Sequence, residues 1–327
     1  MTKIVFDICG ADAGPGMVVR GVAKAMARYS DFFPVLVGPE AVIYGEMDAA
    51  GVSRDSYQVI HTEDFIGMDE SPACIFTGRN ESTVALGYKF LKENADCAGF
   101  ISAGSTGALL VGSICRLGLL PGLKAPALAG SLPCGPENLV TLVDCGSNMD
   151  CTVNDYVRYA KMGNVLAKCR CGIQNPRVGI MSVGREKGKG NALTQQAYDA
   201  ISQLGLNFVG NLEGSDMVSG YADVIVSDGF SGNVLLKCVE AAGKAALALA
   251  LEAAKDAPQT LRDAIEEAIL EHFEINARGA AIFLGTKKPV IKMHGIATED
   301  TCVASVELLR ILEETGFAKA LAVAMAP

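Results

Sequence analysis

The chain alternates between short apolar runs and longer stretches with helical patterning. The short runs are apolar nearly throughout, which is typical of strands that are covered on both faces. They predict strands at 3–8, 34–38, 57–62, 97–103, 139–145, 177–183, 222–227 and 289–294. The longer stretches predict helices at 15–30, 80–95, 106–117, 153–170, 191–205, 232–255, 258–273 and 298–315. This βαβ alternation predicts an α/β fold with a mainly parallel sheet between layers of helices.

Residues 232–273 break the alternation, because they contain two long helices in succession, separated at 256–258. The first contains the run AALALALEAA, whose apolar surface is not confined to one face. Such a helix belongs to a core or to a subunit interface, and we expect an interface, with membrane contact as the weaker alternative. Since there is no Pro/Ser-rich linker and no repeat, we expect residues 1–327 to form one α/β domain that could be lobed.

Composition and charge exclude several classes of protein. The 327 residues are half apolar and carry a formal net charge of −9. Because the chain is acidic and has no long basic run, we expect no nucleic-acid partner. No uninterrupted apolar run reaches the length of about 18 residues that would indicate a membrane-spanning helix. The start, MTKIVFDICG, is patterned as a strand rather than a signal peptide, so we expect a cytoplasmic protein.

The 11 cysteines and 3 histidines do not form a recognisable metal site. Most of the cysteines lie inside apolar segments, where cysteine acts as a small hydrophobic residue. The one close pair is Cys169 and Cys171, and no second pair stands at zinc spacing. We therefore expect reduced thiols, no metal and no disulfide.

Polar and glycine-rich turns follow five of the predicted strands. They occupy residues 7–15, 104–107, 144–150, 184–191 and 228–233. One such turn is ordinary, because Gly, Asp, Asn, Ser and Thr are the common turn residues. Ligands of open parallel sheets, however, bind outside the carboxyl ends of the strands. Five such turns therefore predict one site at that edge.

The turns do not carry the usual nucleotide signatures. The glycines of the first turn do not follow the spacing G-x-G-x-x-G, and Lys189 is followed by Gly190 where a P-loop needs Ser or Thr. We therefore expect no nucleotide cofactor. The turn SAGSTG, residues 102–107, suits a smaller anion such as phosphate, because its N–H groups and the start of the next helix would face the ligand. A plain helix-capping turn is the alternative.

A Ser-His-Asp or Cys-His set is not recognisable in the chain. Lys292 and His294 alternate out of the last predicted strand and would place a fixed charge and a base on one face. A histidine that merely satisfies its hydrogen bonds at a strand end is the alternative.

These turns resemble motifs of the PlsX family, the acyl-acyl carrier protein–phosphate acyltransferases. SAGSTGAL is similar to the family's SAGNTGAL, and DCGSNMDC to its D-x-G-A-N-x-D-C. NPRVGIMSVGREKGKGN, DGFSGNVLLKCVE, GAAIFLG and KMHG also match family blocks in order and spacing. The likeness runs from residue 7 to residue 295. The chain departs from the family at Ala11, Ser105 and Ser147, and at 77–82, where it lacks basic residues of the family pattern.

The resemblance implies a homodimeric, Rossmann-like α/β/α sandwich related to phosphotransacetylases and isocitrate dehydrogenases. It implies that an acyl-acyl carrier protein and inorganic phosphate give acyl phosphate and free carrier protein, for bacterial phospholipid synthesis. It also implies peripheral contact with the inner face of the membrane, through helices 232–273, and no cofactor. The alternatives are an acyl-CoA phosphotransacetylase, an isocitrate-type dehydrogenase and a non-catalytic scaffold for lipid-synthesis enzymes.

The resemblance suggests roles for residues in the turns. The predicted catalytic residues are Asn148, Asn233, Lys292 and His294. The predicted phosphate- or substrate-binding residues are Asp12, Ser102, Gly104, Ser105, Thr106, Asp144, Gly146, Asp228, Gly232 and Lys237. The two asparagines would donate hydrogen bonds to phosphate or to the oxyanion, His294 would supply a proton if one is needed, and the three aspartates would order their turns.

An acidic carrier protein would need a local basic patch on this acidic chain. The candidates are Arg185, Lys187, Lys189, Arg278, Lys287 and Lys288. Simple solvated surface is the alternative interpretation of these charges.

Overall fold

The computed structural model describes residues 1–134, 138–273 and 280–326. Within it the chain divides into two compact units. The terminal unit comprises residues 1–126 and 279–327, and the central unit comprises residues 127–278. That residues 1–327 form one domain that could be lobed stays a prediction.

The described residues form strands and helices in alternation. The strands are β1 Thr2–Asp7, β2 Phe32–Gly38, β3 Gln58–His61, β4 Cys97–Ser102, β5 Ala127–Cys134, β6 Asn138–Val143, β7 Arg177–Met181, β8 Asn207–Leu212, β9 Val224–Val226, β10 Ala281–Leu284 and β11 Val290–Lys292. The helices are α1 Pro15–Arg28, α2 Glu40–Ala49, α3 Cys74–Thr77, α4 Thr83–Glu93, α5 Thr106–Gly112, α6 Val153–Cys171, α7 Ala192–Ser202, α8 Gly229–Ala253, α9 Gln259–Phe273, α10 Glu299–Glu314 and α11 Phe317–Ala324.

The terminal unit is built on strands in the order β3-β2-β1-β4-β11-β10. Neighbouring strands are parallel except β10 and β11, which are antiparallel. Helices α1 and α10 pack together against this sheet, while α4 packs on β1, β2 and β4 and contacts α5. The strand side chains between them, such as Val5 and Phe6, are fully buried, which accounts for the unbroken apolar runs in the sequence.

The central unit has strands in the order β5-β6-β9-β7-β8. All neighbouring pairs are parallel except β5 and β6. Helices α6 and α7 cover the sheet, and α8 contacts β5, β6 and α9. Gly163 lets α6 lie close to β9, since a Cβ there would come within 2.5 Å of Val224 Cγ1.

The predicted α/β fold with mainly parallel strands is confirmed, and so is the helical pair at 232–273, where α8 begins three residues earlier. The predicted helix at 106–117 is α-helical to Gly112 and π-helical over Ser113–Leu117. The prediction missed β5, β8, β10, α2, α3 and α11. Strand β5 contains Gly130 and Pro133, both unfavourable in strands, so its sequence did not indicate a strand.

Helices α8 and α9 leave much of their apolar surface uncovered in this chain. Leu249 is 73% exposed and Leu261 is 52% exposed. The buried residues of α8 are Gly229, Gly232 and Gly243, so α8 is not a core helix of the chain. Among the described residues, no helix combines the length and the apolar character needed to cross a membrane.

Candidate active site

The carboxyl edge of the terminal unit brings three strand ends together. Asp7, Ser102 and Lys292 are the last residues of β1, β4 and β11, and they are in register across these parallel neighbours. Ser102 Oγ donates to Asp7 Oδ2 at 2.6 Å, and Asp7 Oδ1 accepts from the Cys9 N–H at 2.9 Å. Ser102 Oγ also accepts from the Gly104 N–H at 2.9 Å. The turn after β4 is therefore tied to the end of β1.

The turns after β1 and β4 cross at two glycines. Gly10 has φ +92°, and a Cβ there would lie 2.6 Å from the Gly104 Cα. A residue with a side chain at position 10 would have to separate the two backbones. Glycine is retained here, whereas the departure from the family pattern falls on the next residue, Ala11.

The turn SAGSTG leads directly into α5. Gly104 is buried, and Ser105 and Thr106 are half-buried. Ser105 occupies the N-cap of α5, but its side chain makes no capping hydrogen bond. The first N–H groups of a helix have no partner within the helix and need one outside it. At the start of α5, the Ser105 hydroxyl is not that partner. This geometry favours the anion-binding interpretation of the turn over the plain capping turn.

The loop after β11 packs on the loop after β1. The Asp12 N–H donates to the Gly295 carbonyl at 2.8 Å, while the Asp12 side chain is exposed. Lys292 Nζ donates to the Ala103 carbonyl at 3.3 Å and to the Met293 carbonyl. His294 Nδ1 accepts from the Ile296 N–H at 3.4 Å, so the proton of a neutral imidazole would be on Nε2.

Burial raises the pKa of the Asp7 carboxyl to about 6, from its usual value of 3.8. The hydroxyls of Ser102 and Thr83, the Cys9 N–H and the positive charge of Lys292 oppose this shift. The terminal edge thus contains a carboxyl that changes charge near neutral pH.

In the central unit, Asp144 holds the turn that follows β6. It is fully buried, and burial raises the pKa of its carboxyl against the effect of its hydrogen bonds. Oδ1 accepts from the N–H groups of Gly146 and Ser147 at 2.9 Å each, and of Leu128 at 3.2 Å. Oδ2 accepts from the Asn148 N–H at 2.9 Å and from Asn148 Nδ2 at 2.7 Å. This carboxylate orders the turn.

Asn148 and Asn233 have different environments. The Asn148 amide donates to Asp144, which gives Asn148 a positioning role, and its predicted role as a donor to phosphate or the oxyanion stays a prediction. Asn233 lies on the first turns of α8 and is exposed, and within the described residues its side chain makes no hydrogen bond. Its Oδ1 would lie 3.8 Å from a Cβ at Gly146, so it faces the Asp144 turn.

The start of α8 is fixed by Asp228 and Gly232. Asp228 caps the helix, because its Oδ1 accepts from the Ser231 N–H at 2.7 Å. Tyr156, a buried residue of α6 that the sequence did not single out, accepts from the Asp228 N–H at 3.1 Å. A Cβ at Gly232 would lie 1.9 Å from the Asp144 carbonyl oxygen, so only glycine fits. Lys237, one turn after Asn233, pairs with Glu240 at 2.7 Å.

An open groove of about 420 Å³ adjoins this turn within the central unit. Its lining residues are Met149, Asp150, Cys151, Asn191, Leu193, Asp228, Phe230 and Ser231. Phe230 is 64% exposed, so the groove offers an apolar wall beside polar helix starts.

Several of the predicted basic residues already have structural partners. Lys288 Nζ donates to the carbonyls of Leu91, Asn94 and Cys97 at 2.6 to 3.0 Å, between the end of α4 and the start of β4. Arg185 pairs with Asp216, and Lys187 pairs with Asp199 at 2.9 Å. Lys189 and Lys287 are exposed, and Arg278 lies outside the described residues.

The segment 77–82, which lacks the basic residues of the family pattern, has a network of its own. Arg79 pairs with Asp64 at 2.5 Å and with Glu70 at 2.9 Å. Ser82 caps α4 by accepting from the Ala85 N–H. The remaining arginine of this segment therefore holds the chain in place through two carboxylates. Among the residues that the structure describes, no cluster of His, Cys, Asp and Glu could hold a metal ion.

Solved structures with a similar fold include a phosphotransacetylase and a branched-chain phosphotransacylase. A phosphotransacetylase from Streptococcus pyogenes is 17% identical, with a TM-score of 0.65 over 98% of this chain and 94% of that chain. A branched-chain phosphotransacylase from Enterococcus faecalis V583 is 11% identical, with a TM-score of 0.60 over 95% of this chain and 98% of that chain. These likenesses confirm the phosphotransacetylase-like fold.

Sequence relatives cover nearly the whole chain. The family model described as "Fatty acid synthesis protein" matches residues 2–320. The phosphate acyltransferase of Thermoanaerobacterium thermosaccharolyticum is 36% identical over 90% of this chain and 87% of its own length. That of Bacillus cereus is 34% identical over 94% and 93%, and that of Streptococcus thermophilus is 32% identical over 100% and 98%. The chain therefore belongs to the fatty acid synthesis protein family, the PlsX family that its strand-end motifs indicated, and is an acyltransferase.

Proposed function

We propose that this acyltransferase moves the acyl group of an acyl-acyl carrier protein from its thioester to inorganic phosphate, for bacterial phospholipid synthesis. The observation that carries the proposal is the turn from Ser102 to Thr106. Its backbone is held by Ser102 and Asp7, and the Ser105 hydroxyl does not cap the helix that follows. Such a turn can present N–H groups to a phosphate.

The residues fit the chemical demands of this reaction. Inorganic phosphate is already an anion at neutral pH, and a substantial part of it is the dianion, so the nucleophile carries its charge without help from a base. The leaving thiol has a pKa of about 8.5 and departs readily. Neither a strong base nor a covalent intermediate is required. The reaction needs an anion site, donors for the oxyanion of the tetrahedral intermediate and exclusion of water.

Asn233 is the side chain that best suits an oxyanion or phosphate donor in the central unit. The N–H groups of Gly146, Ser147 and Asn148 all donate to Asp144, so they are already used. The exposed Asn233 amide lies against this turn. Phe230 and Met149 in the adjoining groove give a surface on which the apolar part of a thioester can lie.

Two further features support the proposed partners. Lys189 and Lys287 are exposed lysines that suit an acidic carrier protein. Lys287→Glu should therefore raise the KM for that substrate, while the same change at the exposed Lys319 should not.

The uncovered apolar faces of α8 and α9 suit a homodimer interface or peripheral contact with the inner face of the membrane. Light scattering of the protein measures dimer formation, and sedimentation with anionic phospholipid vesicles measures membrane contact. Leu249→Glu should weaken whichever of the two uses this apolar face.

One assay tests the function. Purified protein is incubated with an acyl-carrier protein or an acyl-CoA, with and without phosphate, and free thiol is followed while hydroxylamine traps acyl phosphate. Phosphate-dependent release from the carrier protein alone supports the proposal. Release from CoA alone supports the phosphotransacetylase alternative, and release from neither contradicts both. The family of the chain favours acyl transfer over the dehydrogenase and the scaffold.

A further inference from the structure

Asp7 is a buried carboxyl that the predicted roles did not use. The residue is only 1% exposed. It accepts hydrogen bonds from Ser102 Oγ and the Cys9 N–H, and Ser102 Oγ in turn accepts from the Gly104 N–H at 2.9 Å. A hydrogen-bonded chain therefore runs from the end of β1 to the proposed phosphate turn.

The partners of Asp7 differ from those of two other aspartates with low exposure, Asp216 and Asp223. Asp216 pairs with Arg185, and Asp223 pairs with Arg177 at 2.8 Å. Within the described residues, no lysine or arginine forms a salt bridge with Asp7, and Lys292 stabilises its charge without one. A buried carboxylate without an ion pair depends on its hydrogen bonds. Those bonds therefore constrain the direction of the Ser102 hydroxyl.

We propose that Asp7 is a positioning residue for phosphate, which acts through Ser102 on the turn that follows β4. The inference rests on the proposed function. Because an ionised carboxylate only accepts hydrogen bonds, Ser102 must donate its single hydroxyl proton to Asp7. A lone pair of Ser102 Oγ then accepts from the Gly104 N–H. This bond fixes the orientation of the peptide group between Ala103 and Gly104, which begins the turn. Ser102 itself has no proton left for phosphate, so it positions the turn and is not a direct ligand.

Asparagine cannot replace Asp7 in this chain of hydrogen bonds. The Asn side chain has one acceptor oxygen, whereas the Cys9 N–H and the Ser102 hydroxyl both need an acceptor. If the amide nitrogen donated to Ser102, the hydroxyl proton would turn away from position 7, and the direction of the hydroxyl would no longer be fixed by a carboxylate.

The test is steady-state kinetics of thiol release with phosphate and thioester varied separately. We expect Asp7→Asn and Ser102→Ala each to raise the KM for phosphate about 10- to 100-fold, as for loss of a hydrogen bond to a charged group. The KM for the thioester should stay within about twofold. Because both variants break the same chain, the double variant should be no worse than the more affected single variant. Asp223→Asn, at the amino end of β9, is the control and should leave both KM values unchanged.

The outcomes separate this inference from the proposed function. Wild-type protein without phosphate-dependent thiol release contradicts the proposed function. If the wild type is active but Ser102→Ala leaves the KM for phosphate unchanged, only the role of Asp7 is overturned. The same holds if a variant raises the KM values for phosphate and thioester equally, or if the effects of Asp7→Asn and Ser102→Ala add in the double variant. If thermal unfolding shows that Asp7→Asn does not fold, Ser102→Ala alone decides.

Discussion

Asp7 in the terminal unit and Asp144 in the central unit both stand where a parallel strand ends, and both are buried. Asp144 accepts five hydrogen bonds, four from backbone N–H groups and one from the Asn148 amide. Asp7 accepts one bond from a backbone N–H and one from the Ser102 hydroxyl, and the Thr83 hydroxyl also stabilises its charge.

This difference separates two uses of one residue type. A carboxylate surrounded by backbone N–H groups determines the path of its own loop, so removing it disturbs the fold. A carboxylate bonded to a hydroxyl sets the direction of that hydroxyl, so its removal changes a neighbouring turn. We therefore expect changes at Asp144 to affect mainly stability, and changes at Asp7 to affect mainly the site.

The largest effect should follow Asp144→Ala. The substitution leaves the five donor groups without their acceptor, and buried unsatisfied groups cost about 1–3 kcal/mol each before water or relaxation relieves them. We expect the free energy of unfolding to fall by at least about 3 kcal/mol, measured by urea denaturation. Asp228→Ala, which removes a helix cap, should cost only about 1 kcal/mol. Equal losses in the two variants would contradict the ordering role of Asp144.

Asn233→Ala should give the next largest effect, on catalysis alone. Loss of one oxyanion donor lowers kcat about 10²- to 10³-fold. Because Asn233 is exposed and bonds to no described residue, the urea midpoint should match that of wild type. The control is Ser215→Ala, whose exposed side chain bonds, within the part of the chain that the structure describes, only to Glu213. Wild-type turnover in Asn233→Ala would remove this side chain from the mechanism.

The sequence predicted β1, β4, β6 and β11, which end at the candidate site, and the turns that follow them, because apolar runs and glycine-rich turns are local patterns. It could not predict what each side chain bonds to. Ser102 and Asp7 are 95 positions apart. Lys288, predicted as a docking charge, instead binds carbonyls nearly 200 positions earlier, between the end of α4 and the start of β4. The use of the Asn148 amide on Asp144 is closer in sequence, but it depends on how the turn folds back.

Asp7 should also make stability depend on pH, with a smaller effect. Its pKa of about 6 in the folded chain is above its usual 3.8, so the folded state holds a proton that the unfolded state has released. Asp7 therefore lowers stability as the pH rises through this interval. Relative to wild type, Asp7→Asn should become more stable by about 1 to 1.5 kcal/mol between pH 5 and pH 7.5. Chemical denaturation at both pH values measures the difference, and a constant offset would contradict the raised pKa.

Ser105→Ala should give the smallest effect and decides how the turn holds phosphate. Ser105 stands where the PlsX motif has asparagine, and its hydroxyl does not cap α5. If backbone N–H groups bind the phosphate, the KM for phosphate should change less than about threefold, below about 0.7 kcal/mol. Ser105→Asn, which restores the family residue, should behave alike. A large gain from asparagine would show that a side-chain amide binds the phosphate. The role of Asp7 in holding the backbone of the turn would then be secondary for phosphate binding. Asp7 and Asp144 would differ only in how much each contributes to the stability of the fold.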